Sequence, residues 1–240
     1  MTPSRMRRGE AHLELPSLPL EPVPTTAERT ADRVRELIFQ GRFSPGVGLP
    51  ETTFANAFQV SRNTVREAFR ILINENLLSY EMHRGVFVRQ LSEADIRDIY
   101  ASRRNLELPA LLVAKPAAIS LAALTRGVEE AERLAAAGDW REVGTVNLRF
   151  HEELVALLGS PRRSRFFHTL MTELRLGFCA IADFQALHEP YVAWNRRLLD
   201  LLAGGEQERA LAELERYLDQ AEEQIAAAVR AAAQREGAGG

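Results

Sequence analysis

With 240 residues, 46% of them hydrophobic and 26% charged, the chain is long enough for one or two domains with real cores. Its formal charge of −3 is uneven: residues 1–90 hold 12 Arg against 10 Asp and Glu, and the remainder 18 basic against 23 acidic residues. No apolar run approaches the roughly 20 residues of a membrane span, no apolar segment follows Arg5, Arg7 and Arg8 as in a secretory signal, and the lone Cys179 excludes an intrachain disulfide framework, so a cytoplasmic protein is expected.

Residues 1–24 carry Pro3, Pro16, Pro19, Pro22 and Pro24 without sustained periodicity and predict a flexible arm. A helix is expected from Thr25 or Thr26, with Val34, Leu37 and Ile38 inward, ending before Gly41. Phe43-Ser44-Pro45-Gly46 is a turn, since Pro presets φ and Gly permits positive φ. A short helix over Glu51–Phe58, a tight connection at Gln59-Val60 and a helix from Arg62 to about Asn76 follow.

Ser61 is a good N-cap for that third helix. Val65, Ala68, Phe69 and Leu72 recur at three and four residues and point inward. Arg62, Asn63, Thr64 and Arg66 then fall in the first turns, where a recognition helix meets base edges and phosphates. Alone, this segment reads equally well as an amphipathic helix with a solvated basic face. Leu77-Leu78-Ser79-Tyr80 and Val86-Phe87-Val88, flanking His83-Arg84-Gly85, form a hairpin pattern. Helix, helix, reading helix and hairpin together make a winged helix-turn-helix over residues 25–90. His83, Arg84 and Gly85 lie at a wing tip that can reach the minor groove or backbone, and Arg35 on the first helix joins the DNA-contacting set.

From Ser92 the strand patterns vanish. Ser92 and Asp95 form a capping box, and breaks near Lys115-Pro116, Gly138-Asp139, Gly159-Ser160-Pro161, Glu189-Pro190 and Gly204-Gly205 divide residues 91–235 into about six helices. The last is expected from Glu206 to about Arg235, with residues 236–240 a disordered tail.

Residues 26–89 resemble the DNA-binding domain of the GntR family of bacterial transcription regulators. The resemblance rests on Gly41-Arg42-Phe43-Ser44-Pro45-Gly46, Leu49-Pro50-Glu51, Val60 through Ala68, and Arg84-Gly85-Val86-Phe87-Val88. The helical part resembles the effector domain of the FadR subgroup (the FCD type), through Arg103 to Glu107, Asn147 to His151 and Asn195 to Tyr217. Two departures mark the reader: Gln59 stands where Gly is frequent, and Thr52 where Arg is common, which implies one contact fewer and an altered operator.

Many such effector domains hold a divalent metal with an Asp and a His four residues apart and two further His. Here those positions are Asn147, His151, Asn195 and Tyr217, so one ligand of four is kept. An amide oxygen is a weak neutral donor and a phenol must deprotonate to bind well, so no metal and no other cofactor is expected. What remains is a polar pocket for a small organic acid, with Arg103 or Arg175 as the carboxylate partner. The resemblance implies a mainly α homodimeric regulator on a pseudo-palindromic double-stranded DNA operator. Two other readings stand beside it: a vestigial pocket with output set by a protein partner or by abundance, and an enzyme. No nucleophile–base–orienter set supports catalysis by His151 with Glu152 and Glu153, or by Asp183 with His188.

Overall fold

The computed structural model describes residues 24–113 and 118–238. The expected N-terminal arm and the Lys115-Pro116 break lie outside them, apart from Pro24. Helix α1 (Thr26–Phe39) starts at a capping box: the Thr25 hydroxyl accepts from the Glu28 N–H at 3.1 Å, and the Thr25 N–H donates to the Glu28 carboxylate at 2.6 Å. It ends at Gln40, and Gly41 follows at φ +67°. Helix α2 (Glu51–Phe58) closes on Gln59 in the left-handed region, φ 55° and ψ 44°. A residue with a Cβ therefore makes the tight turn into α3 (Arg62–Asn74), at a cost of about 1 kcal/mol. The third helix stops at Asn74, short of the expected Asn76, because Asn76 itself turns left-handed at φ 60°.

Strands β1 (Leu78–Glu81) and β2 (Gly85–Val88) pair antiparallel, with Leu78 opposite Val88 and Glu81 opposite Gly85. Buried Val34, Ile38, Phe54, Val65, Phe69, Leu72, Leu77 and Val88 form the core of this head. The Phe54 ring meets Phe69 edge-on at 5.3 Å between centroids.

Six helices follow among the described residues: α4 (Glu93–Val113), α5 (Ala118–Ala136), α6 (Trp140–Ala156), α7 (Pro161–Phe178), α8 (Phe184–Ala203) and α9 (Gln207–Ala238). One boundary differs from the expected set. Pro190 lies inside α8, and the break falls between Cys179 and Asp183, where Asp183 caps α8 by accepting from the Ala186 N–H at 2.9 Å. The Pro costs one helical bond, which α8 tolerates because Leu187, Tyr191, Leu198 and Leu202 bury its apolar face. Helix α9 continues past the expected end near Arg235.

Helix α4 packs on α9, α5 on α6 and α8, and α6 on α7 and α8, while α1 of the head packs on α7. The head is seated by polar contacts as well. Arg89 pairs with Glu173 and with Asp95, each at 2.5 Å, Arg149 reaches Glu36 at 3.2 Å, and Arg141 donates to the Gly41 carbonyl at 2.6 Å.

Candidate nucleic-acid interface and effector site

The tip of α3 is built by its cap. The Ser61 hydroxyl accepts from the Thr64 N–H at 3.0 Å, which fixes the first turn and leaves Arg62 and Asn63 exposed on it. Among the described residues no carboxylate lies within ion-pair distance of Arg62, although Glu51 feels its charge. Arg66 differs: its guanidinium grips Glu51 of α2 through two bonds of 3.0 and 2.9 Å, and that bond holds the Glu51 carboxyl below its usual range. Asn63 donates to Glu67 at 2.9 Å. At the wing, His83 (φ 64°) and Gly85 (φ 105°) turn the chain, while Arg84 is exposed, pairs with Glu81 and lies 5.1 Å above the Phe87 ring.

Arg35, expected among the DNA contacts, is placed otherwise. Its Nε and Nη2 donate to Glu75 at 2.9 and 2.8 Å and its Nη1 to Asp32 at 2.5 Å, with the side chain only 13% exposed. It braces α1 against the end of α3, so it sets the angle of the reading helix instead of reaching outward.

In the bundle, Asn147, His151, Asn195 and Tyr217 converge, as the family resemblance implies, from α6, α8 and α9. They form one hydrogen-bonded chain. Asn195 Nδ2 donates to Asn147 Oδ1 (2.6 Å), and Asn147 Nδ2 donates to the Tyr217 oxygen (3.0 Å). The Tyr217 hydroxyl lies 2.9 Å from His151 Nε2, and His151 Nδ1 lies 2.6 Å from Glu107. Arg103 Nε closes the line on the other Glu107 oxygen at 2.6 Å. With Glu107 ionised, His151 carries its proton on Nδ1 and accepts the Tyr217 proton at Nε2, so every link has one donor.

The electrostatics agree with that assignment. Burial opposes ionisation of Glu107, but Arg103 and then His151 hold its carboxyl below the usual range. Burial lowers the pKa of His151 more than Glu107 raises it, which keeps the imidazole neutral, and burial raises the Tyr217 phenol well above 10. This set does not fit a divalent metal. Both nitrogens of the one imidazole are engaged, the Asn147 oxygen already accepts, and the phenol keeps its proton. Among the described residues no group of three or more His, Cys, Asp or Glu side chains is placed to hold a metal.

Glu107 is the residue that reasoning from single positions missed. The readable signal was Arg103 and Glu107 at i, i+4 on the same helix, which puts both on one face. A cavity of about 10 Å³, room for one water, lies beside the chain and is walled by Tyr100, Arg103, Asn147, His188, Tyr191 and Tyr217 among others. Two buried nitrogens of residues in that wall, Arg103 Nη2 and His188 Nε2, have no hydrogen-bond partner among the described residues. Arg175, expected beside Arg103, is not part of the wall. It rises from α7 toward the head, where Nη2 reaches the carbonyls of Gln40 (3.4 Å) and Arg141 (3.2 Å).

Residues 26–88 match the family described as bacterial regulatory proteins, gntR family, and residues 98–220 match the FCD domain. The chain is 30% identical over 176 residues to the HTH-type transcriptional regulator YdhC of Bacillus subtilis (strain 168), covering 70% of this chain and 77% of that protein. It is 40% identical over 83 residues to the gluconate operon transcriptional repressor of the same organism, covering 35% of this chain and 34% of that one. A crystal structure of a GntR transcriptional regulator from Rhodococcus sp. RHA1 superposes with a TM-score of 0.79 at 38% identity, covering 83% of this chain and 96% of that chain. A reading helix with an exposed capped tip, an Arg-bearing wing and a six-helix bundle around a buried polar cluster thus agree with sequence and structural likeness: the chain belongs to the GntR family of bacterial transcription regulators and carries an FCD effector-binding domain.

Proposed function

We propose that this DNA-binding regulator reads a pseudo-palindromic operator as a cytoplasmic homodimer, and that a small organic acid bound in the FCD domain modulates its affinity without a metal. The observation that carries the effector reading is Arg103 Nη2, without a hydrogen-bond partner among the described residues, in the wall of a cavity that the equally unpartnered His188 Nε2 also lines. A buried donor without a partner is costly, and a carboxylate is the complementary group. Arg62 and the Ser61–Thr64 tip would meet bases, and His83, Arg84 and Gly85 the groove or backbone beside them. Arg66 would reach DNA only by giving up Glu51.

The test is calorimetric titration of the full chain with a panel of aliphatic mono-, di- and tricarboxylates in a chelator-treated buffer. Saturable binding that Arg103→Gln weakens supports the reading, and no binding across the panel overturns it.

A second reading has a specific observation in its favour. The cavity holds no more than a water, and Asn195, Asn147, Tyr217, His151, Glu107 and Arg103 bond to one another in a line whose unpartnered atoms, Asn195 Oδ1 and Arg103 Nη2, lie only at its two ends, as in a vestigial pocket. Output would then be set by a protein partner or by abundance. Catalysis is disfavoured by the same geometry: Tyr217, His151 and Glu107 have the connectivity of nucleophile, base and orienter, but they are almost completely buried and the phenol holds its proton.

A further inference from the structure

Arg175 is 1% exposed, yet among the described residues no carboxylate lies within ion-pair distance of it, and its Nε and Nη1 have no hydrogen-bond partner. Its guanidinium is clamped between two glycines. A Cβ on Gly41, the left-handed residue that ends α1 of the reader head, would meet Arg175 Nη2 at 2.6 Å and Nε at 2.7 Å. A Cβ on Gly144 of α6 would meet Arg175 Nη1 at 2.7 Å and His188 Nε2 at 2.4 Å. Two orphaned nitrogens, one from a cation and one from an imidazole, therefore stand over the same point of α6. On its other edge the same guanidinium reaches the C-cap carbonyl of α1 through the long Nη2 bond to Gln40. His188 also lines the cavity that Arg103 enters, so it stands between that cavity and Arg175.

Capping of α1 alone does not account for this arrangement. Arg141 already takes the Gly41 carbonyl at 2.6 Å, a shorter bond than either that Arg175 makes. A capping role also leaves Arg175 Nε and Nη1, and His188 Nε2, as buried donors or acceptors with nothing to bind, and such groups call for an explanation.

We infer that Arg175 and His188 are a second half of the effector receptor, which takes the carboxylate group of an organic acid, and that occupancy competes with the hold of Arg175 on the end of α1. The inference rests on the acid-binding reading of the cavity and adds its route to DNA. An acid that widens the water-sized cavity beside Arg103 meets His188 and the Nη1 edge of Arg175, and draws the guanidinium off the end of α1. The Gln40 carbonyl then loses a cationic partner, and the seat of α1 on α7 loosens. Differential contact of one group with two states is what coupling between sites requires. Arg175 acts here as a binding residue on the acid and a positioning residue for the head.

The experiment uses the full chain with sodium acetate and sodium citrate at constant ionic strength, in two readouts: thermal unfolding, and hydrogen exchange at the Gln40, Gly41 and Arg42 amides. Hundredfold saturation of a carboxylate site should raise Tm by roughly 5–10 °C in a chain of this size. Arg175→Gln and His188→Leu should each weaken that binding at least about tenfold, since each removes a bond to a charged group. His188 contacts only the bundle in this arrangement, so His188→Leu keeps the test available if Arg175→Gln fails to fold. Binding should also speed exchange at the three α1-end amides of the unsubstituted protein. Acid binding that both variants retain at full strength overturns the inference and leaves the cavity reading standing. Binding that leaves the α1-end amides unchanged overturns the coupling, and binding of neither acid overturns the inference together with the reading on which it rests.

Discussion

Replacing Tyr217 by Phe removes one oxygen from the middle of the buried chain. That oxygen lies 2.9 Å from His151 Nε2 and 3.0 Å from Asn147 Nδ2, and Tyr217 is 1% exposed. Phe fills the same volume, so no packing is lost, but an imidazole acceptor and an amide donor are left without partners where water has little room. Each such group costs about 1–3 kcal/mol, which gives roughly 2–6 kcal/mol for the two. At about 2–4 °C per kcal/mol for a chain of this size, Tm should fall by roughly 8–16 °C for a loss near the middle of that range. The control is Tyr191→Phe, whose hydroxyl donates at 2.7 Å to Gln224, a half-buried side chain that can turn to solvent. It should cost only about 0.5–1.5 kcal/mol. Both are measured by urea unfolding at fixed protein concentration, because the proposed dimer would make apparent stability depend on concentration. If Tyr217→Phe lies within about 0.5 kcal/mol of the control, the chain is wetter and looser than this geometry requires, and the closed hydrogen-bond line is wrong.

Four further outcomes follow from the same structure. Arg62→Ala should weaken operator binding by about 1–3 kcal/mol and blur sequence preference in a fluorescence-anisotropy titration, whereas uniform weakening on all duplexes would assign Arg62 to phosphate. Burial takes His188 from 6.5 down to about 3 and also lowers His151, so the unfolded chain binds protons that the folded one refuses. Stability should therefore fall as pH drops below 6.5, by up to about 1.4 kcal/mol per pH unit for His188 down to about 3 and with a further loss of the same sign from His151, and His188→Leu should flatten the slope of a urea series between pH 7 and pH 5. Gln59→Gly should relieve up to about 1 kcal/mol of left-handed strain and raise Tm by a few degrees, and a fall would show that Gln59 is held there by contacts of its own. Elemental analysis of protein purified without chelator should find no stoichiometric Zn, Mn or Ni, and stoichiometric metal lost on His151→Ala would contradict the donor chemistry described for the cluster.

The reader head was readable almost residue by residue, because its signals are local. A Ser cap, a Pro-Gly turn, a three-and-four apolar spacing and a Gly-tipped hairpin each act within a few residues, and the left-handed Gln59 stands where the family resemblance has Gly frequent. The bundle was readable in its helix count but less so at its joints. Pro190 suggested a stop, yet the buried face of α8 and the Asp183 cap outweighed one missing N–H, and the break moved to Cys179–Asp183. The family resemblance implies that Asn147, His151, Asn195 and Tyr217 meet, and spacing by itself puts only Asn147 and His151 on one helical face. It does not show that Tyr217 and Glu107 take the two ring nitrogens of His151, since that depends on side chains brought 66 and 44 residues across the sequence to His151. Charge alone does not place Arg35 or Arg175. Their places were set by tertiary partners, Glu75 for one and the end of α1 for the other.

The central claim is that this FCD domain senses an acid without a metal. The direct measurement is anisotropy of an operator, selected from random duplex DNA, titrated with the full chain with and without a saturating carboxylate, once in chelator-treated buffer and once with added Zn²⁺ or Mn²⁺. The account predicts a change in operator Kd of about 5- to 150-fold on adding the acid, of equal size in both buffers. A response that appears only with the divalent ion would contradict it.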